Sequence, residues 1–139
     1  MKPMAKITDV KTFITRGVER NWLFVKIETD AGVHGWGEAS LELKEKTVES
    51  AIHEMSGYII GQDATRIEHL WQILFRHGFW RGGVVLNSAM SVIDQALWDI
   101  AGKLYGVPVY KLLGGECRDR IRVYAHGGAS NAKEIVAEG

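Results

Sequence analysis

The spacing of apolar positions changes period along this chain, and each change predicts an element boundary. From Ile7 to Thr15 the run carries Ile7, Val10, Phe13 and Ile14, β-branched and aromatic residues that predict a strand. Arg16 to Asn21 breaks the pattern and reads as a loop. Leu23 to Thr29 then alternates, with Leu23, Val25 and Ile27 on one side and Phe24, Lys26 and Glu28 on the other, which predicts a strand with one face more buried. Asp30-Ala31-Gly32 reads as a short hairpin loop whose glycine takes a positive φ. Val33 to Glu38 returns as a third strand, so the first part of the chain is a three-stranded antiparallel meander.

The period then becomes helical. Val48, Ala51, Ile52, Met55 and Ile59 recur on one helix face. Thr65-Arg66-Ile67-Glu68 matches a capping box, a hydroxyl followed three residues later by a carboxylate, ahead of Ile67, Leu70, Trp71, Leu74 and Phe75. A Gly-rich loop, Gly78 to Gly83, leads to a third helix expected from near Ser88 to Tyr105, with Gly106 as its stop. Ala89, Ile93, Ala96, Leu97, Ile100 and Leu104 form one face of it, and Val92 and Trp98 widen that face, so the helix is expected to be covered on most sides. Strands first and helices afterwards give an α+β order. A last β-type run, Ile121 to Ala125, stands alone near the end.

Composition removes whole classes of function. The 139 residues contain 17 Lys and Arg against 17 Asp and Glu, so nothing provides the positive field that nucleic-acid binding needs. Cys117 is alone, which excludes an intramolecular disulfide and a cysteine metal cluster. No apolar run approaches the roughly 20 residues of a membrane span. The N-terminus runs into a charged strand and not into an apolar signal core, so a soluble cytoplasmic protein is expected.

Few residues promise chemistry. Asp94 and Asp99 lie five apart, roughly 140° around a helix, so they cannot aim at one site; each is expected to accept hydrogen bonds from nearby backbone or Arg groups. His53-Glu54 fails as a zinc helix because Gly57 stands where the second His belongs. His34, His69, His77 and His126 share no metal-ligand spacing, and Ser88 lacks a nucleophile elbow. The glycines of Gly35-Trp36-Gly37-Glu38 read as places where another backbone comes close. Two loops, Arg16 to Trp22 and His77 to Gly83, combine arginine, aromatic and glycine residues. Arg offers a fork for a carboxylate, Trp a flat wall and Gly close approach, chemistry that suits an acid-sugar ligand. Solvated arginines beside aromatics that plug the domain's base are the plain alternative.

The run Ile93-Asp94-Gln95-Ala96-Leu97-Trp98-Asp99-Ile100-Ala101-Gly102-Lys103, with Gly106-Val107-Pro108-Val109 and Leu112-Leu113-Gly114-Gly115, resembles the end of the N-terminal capping domain of the enolase superfamily, mandelate racemase/muconate lactonizing branch. Ile27 to Glu38 and Gly78-Phe79-Trp80-Arg81-Gly82-Gly83 resemble acid-sugar dehydratases, the latter of galactonate type. Asn21 and Val123-Tyr124-Ala125-His126-Gly127 look more like mannonate dehydratases. The resemblance implies a cap over residues 1–119, with 120–139 opening a (β/α) barrel whose remainder is expected to be missing. It assigns Asp94 and Asp99 to packing of the cap against the barrel. It implies substrate contacts by Arg20, Asn21, Trp22, Trp80 and Arg81, and no catalytic or metal-binding residue in this chain. The implied reaction removes a proton beside a carboxylate and then a β-hydroxyl, giving a 2-keto-3-deoxy acid. Such a weakly acidic proton calls for Mg2+ and a Lys or His base, held on later barrel strands. The barrel, a sugar-acid substrate and further copies of the chain are the implied partners. A binding domain that keeps only the cap fold, or a split enzyme completed by a second chain, fits the same residues.

Overall fold

The computed structural model describes residues 4–18, 20–39, 41–76 and 78–124. The expectations for Ala125, His126 and Gly127, for His77 and for most of 120–139 lie outside the described residues. Three strands, β1 (Ile7–Arg16), β2 (Asn21–Thr29) and β3 (His34–Glu38), form one antiparallel sheet in chain order. Among the described residues four helices follow: α1 (Glu45–Ile59), α2 (Ile67–Arg76), α3 (Gly83–Tyr105) and the single turn α4 (Val109–Leu112). The meander-then-helices order read from the pattern is the architecture found.

Leu23, Val25 and Ile27 are fully buried beneath α1 and α3, and Val48, Ala51, Ile52, Met55 and Ile59 are the buried face of α1. Gly32 closes the second hairpin at φ +75, donating its N–H to the Thr29 carbonyl. Gly106 ends α3 in the left-handed conformation, a geometry that costs glycine little.

Several boundaries differ from the sequence reading. The β1–β2 ladder continues through Thr15↔Trp22 and Arg16↔Asn21, so the first loop shrinks to residues 17–20, and Asn21 and Trp22 are strand residues. A tight turn allows this: the Gly17 N–H donates to the Arg20 carbonyl over 2.9 Å, where any Cβ on residue 17 would lie 2.5 Å from that oxygen. The capping box does not form. Thr65 instead donates its hydroxyl and its N–H to Asp63 Oδ1, so the carboxylate of Asp63 organises the entry to α2. α3 begins at Gly83, five residues early, because the half-buried Val85 and Leu86 continue its apolar face onto the core. Residues 121–124 belong to no strand. A strand exists only through a ladder to a neighbour, and no described strand runs beside them.

The seam between α3 and β3 fixes the architecture. At Gly35 a Cβ would lie 1.9 Å from the Ala96 carbonyl oxygen, and at Gly37 2.1 Å from that of Val92. The close backbone approach expected at these glycines is therefore the packing of α3 on the sheet. The same helix covers the open edge of β3. Trp36 N–H donates to Asp99 Oδ2 (2.9 Å) and Glu38 N–H to Gln95 Oε1 (3.0 Å), while Gln95 Nε2 donates to the Glu38 carbonyl (3.2 Å). Lys103 Nζ bridges Asp99 (2.7 Å) and the His34 carbonyl (2.8 Å). Residues four apart on a helix advance about 6 Å, and every second strand residue about 6.7 Å, so 95, 99 and 103 meet 38, 36 and 34 in turn. These side chains replace a fourth strand and protect an edge that would otherwise pair with another chain.

Candidate functional site

The chain reverses at one end of the sheet twice, and both reversals expose polar side chains. The β1–β2 turn carries Arg20 out of a frame held by Gly17, and the loop from β3 to α1 leaves the same end beside it. Arg20 Nη1 donates to Glu42 Oε1 of that second loop over 2.7 Å, and its guanidinium lies 4.6 Å from the ring centre of Trp22. Trp22 is half-buried, whereas Arg20 and Asn21 are exposed. Arg20 and Trp22 are thus in contact, with Asn21 beside them on the strand.

Trp80 and Arg81 are placed elsewhere. They border a small hollow of about 140 Å³ between α1, α2 and the start of α3, lined also by Glu54, Tyr58 and Leu86. Trp80 stands against Phe79 edge to face at 5.2 Å and is 83% exposed. Among the described residues no hydrogen bond, ion pair or ring contact joins this loop to the β1–β2 turn. The β3–α1 loop stands between them. It touches Arg20 through Glu42, and its Ala39 and Leu41 share an open cleft of about 500 Å³ with Val84, Asn87, Ser88 and Ser91 on α3.

Sequence reasoning missed that loop. Its signal is slight: the mixed run Leu41-Glu42-Leu43-Lys44 fits neither period. Leu43 has φ +63, rare for a branched residue, and is 89% exposed. Its N–H donates to Glu45 Oε1, so the first turn of α1 holds this conformation in place.

Asp94 and Asp99 do face apart. Asp99 accepts from backbone and from Lys103, a lysine where an arginine was expected. Asp94 borders a groove of about 640 Å³ with Glu68, Trp71, Trp98, Tyr105 and Leu112. Burial raises its pKa, the Trp98 hydrogen bond opposes the rise and the nearby Glu68 charge adds to it. For Asp63 burial also pushes upward, but hydrogen bonds from Thr65, Met4 and Ala5 outweigh it and the pKa falls. Among the described residues no three His, Cys, Asp or Glu side chains converge as a metal site, and no helix is long and apolar enough to cross a membrane. The arrangement presents the paired guanidinium of Arg20 and the amide of Asn21 at one end of the sheet.

Comparison with known proteins gives this arrangement a context. Residues 2–114 match the family model described as mandelate racemase / muconate lactonizing enzyme, N-terminal domain. D-galactonate dehydratases of Pectobacterium atrosepticum and Ralstonia pickettii are 52% identical over 132 residues, 95% of this chain and 34% of theirs. That of Xanthomonas campestris is 50% identical over 133 residues, 96% of this chain. The chain therefore spans about a third of the length of these curated relatives. Among solved structures, an enolase from Pantoea ananatis with bound D-gluconate and Mg shares 48% identity at a TM-score of 0.78, over 83% of this chain and 28% of that one. A member of the enolase superfamily from Salmonella Typhimurium superposes with a TM-score of 0.84 at 39% identity, over 88% and 32%.

Proposed function

The chain belongs to the mandelate racemase / muconate lactonizing enzyme N-terminal domain family, and from that premise we propose that it is the substrate-capping domain of a D-galactonate-type acid-sugar dehydratase. The observation that carries this reading is identity of 50–52% to curated D-galactonate dehydratases over almost the whole chain. In the proposed reaction the longer protein abstracts the proton beside the substrate carboxylate, expels the β-hydroxyl as water and releases a 2-keto-3-deoxy acid.

The cap's share of this work is recognition. Arg20 presents a guanidinium for the carboxylate, backed by Trp22, and Asn21 offers an amide to a sugar hydroxyl. Arg81 and Trp80 form a second recognition element on the α2–α3 loop. Among the described residues no group of side chains fits a divalent metal of the family, and this proposal assigns metal and base to later barrel strands of the longer protein. We place the start of the barrel at residue 120, with Ile121 to Tyr124 pairing as a strand only once neighbouring barrel strands are present. Assembly of the complete enzyme as a homo-oligomer belongs to the same proposal.

The test is an assay of the full-length protein with D-galactonate and MgCl2, following 2-keto-3-deoxy acid by its semicarbazone, beside the 139-residue chain alone. Product from the full-length protein and none from the chain is expected. A full-length protein inert toward every sugar acid would sink the substrate class. Turnover by a preparation of the chain free of longer enzyme would sink the assignment of chemistry to the barrel.

A further inference from the structure

Arg20 does not stand free. Its guanidinium is held from two sides, by Glu42 at 2.7 Å and by the face of Trp22 at 4.6 Å. The two sides belong to different segments: Trp22 to β2, Glu42 to the β3–α1 loop. Each segment is independently anchored. The turn below Arg20 is closed by the Gly17 N–H to the Arg20 carbonyl, and a Cβ at Gly17 would lie 2.7 Å from Trp22 Nε1, so Trp22 packs directly over the turn. On the other side, the Ala39 N–H donates to the Leu23 carbonyl, the Lys44 N–H donates to the Leu41 carbonyl, and Leu43 is fixed at φ +63 by Glu45. Glu42 is thus carried on a loop bound at both ends, and it lies where it meets the arginine of the turn.

We propose that Glu42 is a positioning residue for substrate recognition. It holds Arg20 over the Trp22 ring and fastens the β1–β2 turn to the β3–α1 loop, so that the two loops present one surface with a single guanidinium orientation. Among the described residues Glu42 engages Arg20 through Nη1, and a guanidinium carries further N–H donors that can meet a carboxylate. A flexible arginine loses rotamer entropy when it grips a ligand; one already held loses less, so the clasp favours binding without touching the reacting atoms. This inference rests on the reading that Arg20 meets the sugar acid.

Two measurements test it. On the chain as it stands, NMR of the Arg20 Nε–H and the Trp22 indole N–H should change together in Glu42→Gln, with the Leu23 and Val25 amides unmoved, and Glu42→Asp should restore part of the wild-type signal. In the full-length enzyme, Glu42→Gln should raise KM for D-galactonate about two- to fivefold, the scale of one exposed ion pair. Solvent exchange of the substrate α-proton should persist at saturation, and Glu42→Asp should bring KM back toward wild type. A raised KM in Arg20→Ala together with an unchanged KM in Glu42→Gln overturns the positioning role alone. Unchanged KM in both variants overturns the recognition role of Arg20 as well. Unchanged Arg20 and Trp22 signals in Glu42→Gln would show that no clasp exists in solution.

Discussion

The α3–β3 seam and the turn-and-loop end of the sheet lie one strand apart, yet different forces build them. At the seam two backbones touch, side chains at 95, 99 and 103 replace a missing strand, and Gly35 and Gly37 have no room for one more carbon. At the loop end the pairs are exposed and electrostatic, and both Arg20 and Glu42 face solvent. The seam tolerates little because its geometry is set by van der Waals contact. The loop end tolerates exchange because water competes for every interaction there. Stability is therefore expected to depend on the first and specificity on the second.

The sharpest way to break that division is one methyl group. Gly35→Ala or Gly37→Ala would put Cβ about 2 Å from a carbonyl oxygen, so α3 must move off the sheet, at a cost of about 3 kcal/mol or more. Gly57→Ala in α1 meets nothing within 4 Å and should stabilise by about 0.5–1 kcal/mol through helix propensity. Urea unfolding of the three variants compares them directly. A Gly37→Ala protein as stable as wild type would mean that the helix is not seated as described.

Second in size is the hydrogen-bonded edge. Asp99→Ala removes the acceptor of the Trp36 N–H and the partner of Lys103, leaving a strand-edge donor to find water, at about 1–3 kcal/mol. The same variant should speed amide exchange at Trp36 and Glu38 while leaving Val25 and Ile27 protected, since these lie inside the sheet. Uniform acceleration across all three strands would instead mean that α3 and the sheet unfold as one unit.

What the sequence disclosed follows the same division. Alternation in Leu23 to Thr29 and the helical repeat from Val48 to Ile59 are burial patterns, and burial is what apolar spacing encodes; those elements and their core residues were legible. So was the close approach at Gly35 and Gly37, since paired glycines within a strand have few other uses. The capping box misled because Thr65 had a better partner in Asp63, whose carboxylate also takes the Met4 N–H from the far end of the chain. The early start of α3 was hidden because Gly82 and Gly83 read as a break. Of the site, Arg20, Asn21 and Trp22 were legible as residue types but not as a strand and turn. Glu42 was not legible, because only the folded sheet brings two reversals to one end.

Two carboxyls should tilt the pH dependence of stability in opposite directions, each modestly. Asp94 has its pKa raised above the ordinary 3.8, mainly by burial, so its contribution is full below that value and is lost as pH rises through the folded pKa. Asp63 is lowered from 3.8, hydrogen bonds from Thr65, Met4 and Ala5 outweighing burial; its contribution is present above 3.8 and lost as pH falls through the folded pKa. Asp94→Asn should therefore gain on wild type as the buffer moves from acid toward neutrality, and Asp63→Asn should lose. Parallel stability profiles for Asp94→Asn and wild type would place that carboxyl in solvent.

The smallest expected change in stability is the one that says most about function. Arg20→Ala removes an exposed ion pair and a cation–π contact at the tip of a turn. Exposed pairs contribute about 0.2–1 kcal/mol, and entropy recovered by the freed side chains offsets part of that, so unfolding should shift by less than about 0.5 kcal/mol. The backbone of the turn is closed through the Arg20 carbonyl and Gly17, groups that alanine retains, so the fold gives no reason for a larger loss. In the full-length enzyme the same substitution should remove a charge-assisted hydrogen bond to the substrate carboxylate, about 1.5–3 kcal/mol of binding. That is a tenfold or larger drop in kcat/KM, with proton exchange intact at saturation. A large fall in stability with unchanged kinetics would reverse the assignment, making Arg20 part of the framework and leaving recognition to the Trp80–Arg81 loop.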